Sequence, residues 1–146
     1  LAHQLSLRQF RLESRKQVGI AMPSQGKQLQ ALKDSLPFTL TQAQQRVIQE
    51  IQKDLIQPIP MSRLVQGDVG SGKTLVAAAA ALHAIEAGYQ VALMAPTEIL
   101  AEQHLTCFRD WFEPLGLTVG SLSGKQKVKE RRDQGERPRQ TDPRPR

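Results

Sequence analysis

Leu64-Val65-Gln66-Gly67-Asp68-Val69-Gly70-Ser71-Gly72-Lys73-Thr74 decides how this chain is read. Its last eight residues match the pattern G-x-x-x-x-G-K-[ST]. At average composition a chance match in a chain of this length has a probability of roughly half a percent, so the match carries weight. The context agrees: residues 63–66 read as a short apolar strand, and residues 73–87 as a helix of strong helix formers closed by Gly88. Glycines let the backbone curl so that successive N–H groups of Gly67, Asp68, Val69, Gly70, Ser71 and Gly72 point inward, and the following helix start adds partial positive charge. Such a nest suits the phosphates of ATP, with the Lys73 ammonium between the β- and γ-phosphates and the Thr74 hydroxyl on Mg2+. The plainer reading is a glycine-rich strand-to-helix turn that carries a surface lysine.

Outward from the loop, Val47, Ile48, Ile51 and Leu55 form one apolar stripe at helical spacing. That helix opens at Thr41 and ends before Pro58 and Pro60. Residues 27–36 form a short helical stretch, and residues 1–18 a helix with leucines at Leu1, Leu5 and Leu12. On the other side, residues 90–95 read as a buried strand, Thr97 starts a helix reaching about Phe112, and residues 117–122 read as a third strand. The alternation of strand and helix predicts an α/β fold with a parallel sheet and right-handed crossovers. After Val128 no Leu, Ile, Val, Phe, Met or Ala appears. Such a tail cannot bury enough surface to offset its ordering entropy and reads as disordered.

The net charge is +6, yet residues 1–124 hold 11 basic and 10 acidic residues, while residues 125–146 hold 9 and 4. The basicity therefore belongs to the tail, and a bulk electrostatic footprint for nucleic acid is not expected on the folded part. Aromatic residues are 4% of the chain, which argues against a base-stacking single-strand binder. No apolar run reaches the ~18 residues that span a bilayer, and residues 1–18 do not have the pattern of a signal peptide. The single cysteine, Cys107, excludes an internal disulfide framework and fits a reducing, cytoplasmic setting. It lies among Leu105, Phe108 and Trp111 and reads as a packing residue; Trp111 and Phe112 read as core.

Turnover of ATP also needs an acid after an apolar strand to hold the metal. Val91-Ala92-Leu93-Met94 runs into Ala95-Pro96-Thr97 instead, and Asp54 and Asp110 fall inside predicted helices. None supplies that acid.

The stretch 64–74 resembles motif I of the RecG-type branch-migration helicases of superfamily 2. Ala95-Pro96-Thr97-Glu98-Ile99-Leu100-Ala101-Glu102-Gln103-His104 resembles the motif Ia that follows it, and Leu36-Pro37-Phe38-Thr39-Leu40-Thr41-Gln42-Ala43-Gln44 the segment before it. Leu122-Ser123-Gly124-Lys125 sits where that family has a Leu-Thr-Gly element. The resemblance covers roughly residues 36–127. It implies a partial RecA-like P-loop lobe over residues 37–127, a helical linker region over 1–36 and a separate Arg/Pro-rich tail over 128–146. It also implies ATP and Mg2+ as cofactors, branched or single-stranded DNA as partner, no membrane, and a monomer.

The resemblance further implies that Gln44 reads the adenine edge with Phe38 packing nearby. The alternative for Gln44 is the third helical position of a capping box opened by Thr41. Pro96, Thr97, Gln103 and Gly124 would lie along the DNA path, His104 less surely. Thr97 reads equally as a helix N-cap, and both roles are compatible; His104 reads as a half-buried helix residue. The family's DNA-wedge domain would precede Leu1, and its DExH box and second lobe would follow Lys127. The implied piece alone would therefore not turn over ATP, and the tail reads as a premature end or an out-of-frame stretch. Rival readings are a transcription-repair-coupling or replication-restart translocase, a non-helicase P-loop NTPase or kinase, and a non-functional remnant.

Overall fold

Residues 75–85 are almost wholly apolar and rich in alanine, so the helix they form needs cover on more than one side. The computed structural model describes residues 18–122, and the chain divides into two compact units, Leu1–Val91 and Ala92–Arg146. In the first unit three helices form: α1, Lys27–Ser35; α2, Gln42–Leu55; and α3, Lys73–Glu86. Both α1 and α2 pack on α3. Leu75, Val76, Ala78, Ala79, Ala81, Leu82, His83 and Ala84 are all buried, and the small alanines permit close approach of the neighbours. Leu29 of α1, Ile48 and Ile51 of α2, and Val76 and Ala79 of α3 share one core, rimmed by Leu40, Val47, Leu55, Met61, Val65 and Ala80. Leu32 and Leu82 are fully buried; each contributes about 1.5–3 kcal/mol by leaving water. The apolar stripe of α2 thus lands where its spacing places it.

The helix ends are settled by specific hydrogen bonds. Thr41 and Gln44 form a reciprocal capping box: Gln44 N donates to Thr41 Oγ1 at 3.2 Å, and Thr41 N donates to Gln44 Oε1 at 2.9 Å. α3 closes with a Schellman arrangement, Tyr89 N donating to Ala84 O and Gly88 N to Ile85 O. α1 begins at Gly26, which has no side chain to cap with. Glu86, at the far end of α3, does that work, accepting from Lys27 N at 3.1 Å, Gln28 N at 3.4 Å and the Ser24 hydroxyl at 3.0 Å. Burial opposes ionisation of Glu86, but these donors and the Gln25 N–H outweigh it and hold its pKa below the ordinary range. His83 is buried, with Nε2 on the Met22 carbonyl at 2.7 Å.

In the second unit, α4 spans Glu98–Phe112 and runs into a single 3-10 turn, Glu113–Leu115. Thr97 caps it, its hydroxyl oxygen accepting from Leu100 N at 3.3 Å. Phe108 and Phe112 are buried, their rings edge to face with centroids 5.1 Å apart. Arg109 Nε donates to Val119 O at 3.4 Å and ties the returning chain to the helix.

The expected parallel sheet does not form. Among the described residues there are four α-helices and no strand. Residues 63–66, 90–95 and 117–122 carry strand-forming side chains, but among the described residues none of them is part of a strand. Several of their apolar side chains face outward: Leu64 is 78% exposed, Met94 95% and Leu122 74%, while Val65 packs on the core rim. A strand exists only opposite a partner about 4.8 Å away; β-branched and apolar composition supplies propensity for that pairing, not the partner itself. The α/β, partial RecA-like assignment is therefore replaced, for the described residues, by a helical arrangement with irregular links. The helix expected over residues 1–18, apart from Val18, and the tail over 128–146 lie outside the described residues.

Candidate functional site

The loop of residues 67–74 is shaped by two glycines. Gly70 and Gly72 take φ of +79° and +82°, in the left-handed region that side chains disfavour. Ser71 N donates to Asp68 O at 3.1 Å and closes the turn, and Leu75 N and Val76 N donate to Gly72 O as α3 begins. The N–H groups of Gly70, Gly72, Lys73 and Thr74 are left without a hydrogen-bond partner among the described residues. They form a set of donors at the start of a 14-residue helix, where the helix field favours an anion.

Lys73 completes the set. Its ammonium folds back over the loop and donates to Gly67 O at 2.8 Å and Asp68 O at 2.7 Å, with Ser71 Oγ at 3.5 Å. A positive charge is thereby held against the same curl of backbone that offers the free amides. Thr74, half-buried in the first turn of α3, brings a hydroxyl to that helix start. Amide donors, an ammonium and a hydroxyl on one curl are what a polyphosphate with its metal requires, so these residues fit ATP and Mg2+. Val69 projects fully into solvent at the tip.

Gln44 reaches this loop from α2. Its Oε1 serves the capping box, and its Nε2 donates to Ser71 O at 2.9 Å. A Cβ added to Gly72 would collide with that Nε2. The capping role read from the sequence is present, and the bridge to Ser71 is additional. Phe38 lies six residues earlier in the link between α1 and α2 and is exposed.

A contact not foreseen from the sequence lies just before the loop. Arg63 bonds two carboxylates of α2 at once, Nε to Asp54 and Nη1 to Glu50, both at 2.6 Å. The signal was legible, since Glu50 and Asp54 stand four apart on one helix face, but nothing in the linear pattern names their partner. These carboxylates, Asp54 foremost, push the guanidinium pKa above its ordinary value.

Of the residues expected to lie along DNA, Pro96, Thr97 and Gln103 are in the second unit and exposed at the start and outer side of α4. The Thr97 hydroxyl is engaged as the N-cap. His104 is half-buried. Gly124 lies outside the described residues. Cys107 is half-buried, and burial, reinforced by the Asp110 charge, pushes its thiol pKa up; this fits packing better than nucleophilic chemistry. Among the described residues no group of three His, Cys, Asp or Glu side chains is arranged to hold a metal, and no helix is long and apolar enough to cross a membrane.

Comparison with known proteins adds four findings. The family model described as DEAD/DEAH box helicase matches residues 41–141, which carries the likeness past Lys127. The chain is 57% identical over 137 residues to the ATP-dependent DNA helicase RecG of Pasteurella multocida, covering 94% of this chain and 20% of that protein. It is 48% identical over 138 residues to the protein of the same name from Bacillus subtilis, again covering 94% and 20%. A solved structure of RecG bound to a three-way DNA junction superposes with a TM-score of 0.70 at 49% identity, covering 75% of this chain and 15% of that one. The chain thus spans about a fifth of the length of the relatives it matches.

Proposed function

Because the chain belongs to the DEAD/DEAH box helicase family, we propose that it forms part of an ATP-dependent DNA helicase acting on branched DNA, and that residues 67–74 grip the nucleotide. The observation that carries the reading is the loop itself: one curl of backbone offers partnerless amides at Gly70, Gly72, Lys73 and Thr74 and holds the Lys73 ammonium on its Gly67 and Asp68 carbonyls.

In this reading the amides of residues 67–72 and the start of α3 bind the phosphates, and Lys73 exchanges the Gly67 and Asp68 carbonyls for phosphate oxygens. Thr74 holds Mg2+, which when bound neutralises phosphate charge. Gln44 supports the loop through Ser71, and its second Nε2 hydrogen and second Oε1 lone pair are the groups that would meet an adenine edge, with Phe38 packing nearby. Pro96, Thr97 and Gln103 contact the DNA backbone, where exposed amides at a helix start suit phosphate; Gly124 is assigned there by family likeness alone. DNA remodelling in repair and recombination, a monomeric state and a cytoplasmic setting are part of the same proposal.

Two measurements test it. A fluorescent ATP analogue titrated onto this chain with Mg2+ is expected to bind, and Lys73→Ala to remove binding while the far-ultraviolet circular dichroism is unchanged. A chimera placing this chain in the aligned segment of the Pasteurella multocida relative is expected to hydrolyse ATP faster with a three-way junction than with linear duplex. Binding that survives Lys73→Ala, or hydrolysis indifferent to DNA structure, would overturn the reading.

A further inference from the structure

The phosphate loop is gripped from one helix at two points, only one of which belongs to the loop motif. At the exit of the loop, Gln44 of α2 donates to Ser71 O. At its entrance, Arg63 bonds Glu50 and Asp54 of the same helix. The stretch 61–66 that leads into the loop is in no strand among the described residues. Its side chains alternate, with Met61 and Val65 half-buried against the core and Leu64 turned to solvent, as in an extended chain. Alternation sets the face of such a segment and opposes a slip of one residue, which would turn Val65 off the core, but a slip of two residues preserves the face. A two-residue slip would carry the loop roughly 6.6 Å along the chain, enough to misplace every amide.

From this geometry we infer that Arg63 is a positioning residue for nucleotide binding: its ion pairs with Glu50 and Asp54 lock the register of residues 61–66 over α2 and so set where the phosphate loop begins. The inference rests on the nucleotide-binding reading of residues 67–74. Three features support it. The fork is engaged by two carboxylates one turn apart, which defines a position along the helix rather than only a distance from it. Arg63 stands four residues from Gly67, too close for slack. And the pairs are partly exposed, 32–45% by side chain, so their contribution to overall stability is small and a local role is separable from a global one.

The test compares wild type, Arg63→Ala, Arg63→Lys and the paired Glu50→Gln with Asp54→Asn in the full chain. Three readouts are taken: Mg-ATP affinity, hydrogen exchange of the Ser71 amide, which is bonded to Asp68 O within the loop, and the thermal melt. Arg63→Ala is expected to weaken ATP about three- to tenfold and to speed exchange at Ser71, while exchange in the interior of α3 and the melt hold steady. Lysine should recover part of both effects, since it can satisfy one carboxylate but not the fork. The carboxylate pair should reproduce Arg63→Ala and add nothing to it.

Unchanged loop exchange in Arg63→Ala overturns the inference, as does a fall in affinity that merely tracks a fall in melting temperature. Wild type that fails to bind ATP, with Arg63→Ala still loosening the loop, would instead count against the nucleotide-binding reading and leave the register lock standing.

Discussion

Substituting alanine at the two left-handed glycines should separate backbone strain from the Gln44 contact. Gly70 has φ of +79° with open space where a Cβ would sit. Gly70→Ala therefore carries only the left-handed penalty, about 1–2 kcal/mol. Gly72 has nearly the same φ, +82°, but its Cβ would strike Nε2 of Gln44. That nitrogen is the far end of a flexible side chain, so it moves aside and gives up the bond to Ser71 O, costing about 1 kcal/mol more. Strain confined to the loop lowers the population of its binding-competent form. The expected losses in Mg-ATP affinity are about 5–30-fold for Gly70→Ala and about fivefold further for Gly72→Ala.

A double-mutant cycle makes the claim sharper. Gln44→Ala removes the Ser71 bond and half of the capping box, but the cap contribution is common to both glycine backgrounds and cancels. The Gln44 and Gly72 effects should be non-additive by about 1 kcal/mol, and the Gln44 and Gly70 effects additive within about 0.5 kcal/mol. Isothermal titration with Mg-ATP across wild type, the three single variants and the two double variants provides the numbers. Equal losses at Gly70 and Gly72, or additivity in both cycles, would refute the reasoning.

Other outcomes follow from the packing and the caps. Leu82→Ala, which empties a fully buried site on α3, should lower the unfolding free energy by about 3–5 kcal/mol in urea denaturation. Glu86→Gln should cost about 1 kcal/mol at neutral pH. Because the folded pKa of Glu86 is depressed, its carboxylate's contribution is complete above the ordinary glutamate range and fades as pH falls through the folded value; melts from pH 7 to 3 should therefore converge with those of the glutamine variant at the acid end. Cys107 should react slowly with an aromatic disulfide reagent at neutral pH, and Asp110→Asn should speed it several-fold by removing one of the two causes that raise the thiol pKa; a rate matching that of a free thiol in both proteins would show the side chain is not shielded.

Short-range chemistry was legible in the linear chain. The capping box at Thr41 and Gln44, the apolar stripe of α2, the alanine-rich α3 with Gly88 behind it, and Thr97 as the cap of α4 all depend on residues within about one turn of each other, so spacing alone specifies them. The phosphate loop is of the same kind, since its glycines, lysine and threonine are contiguous. What lay beyond reach was pairing across distance. Strand-like composition at residues 63–66, 90–95 and 117–122 says nothing about whether a partner lies alongside, and among the described residues none does. Likewise only the folded chain brings Glu86 to the start of α1, Arg63 to Glu50 and Asp54, and Gln44 to Ser71. Local propensity is written in neighbouring residues, whereas the choice among distant charges and donors is made by packing, which brings one of many chemically eligible partners to hydrogen-bond distance.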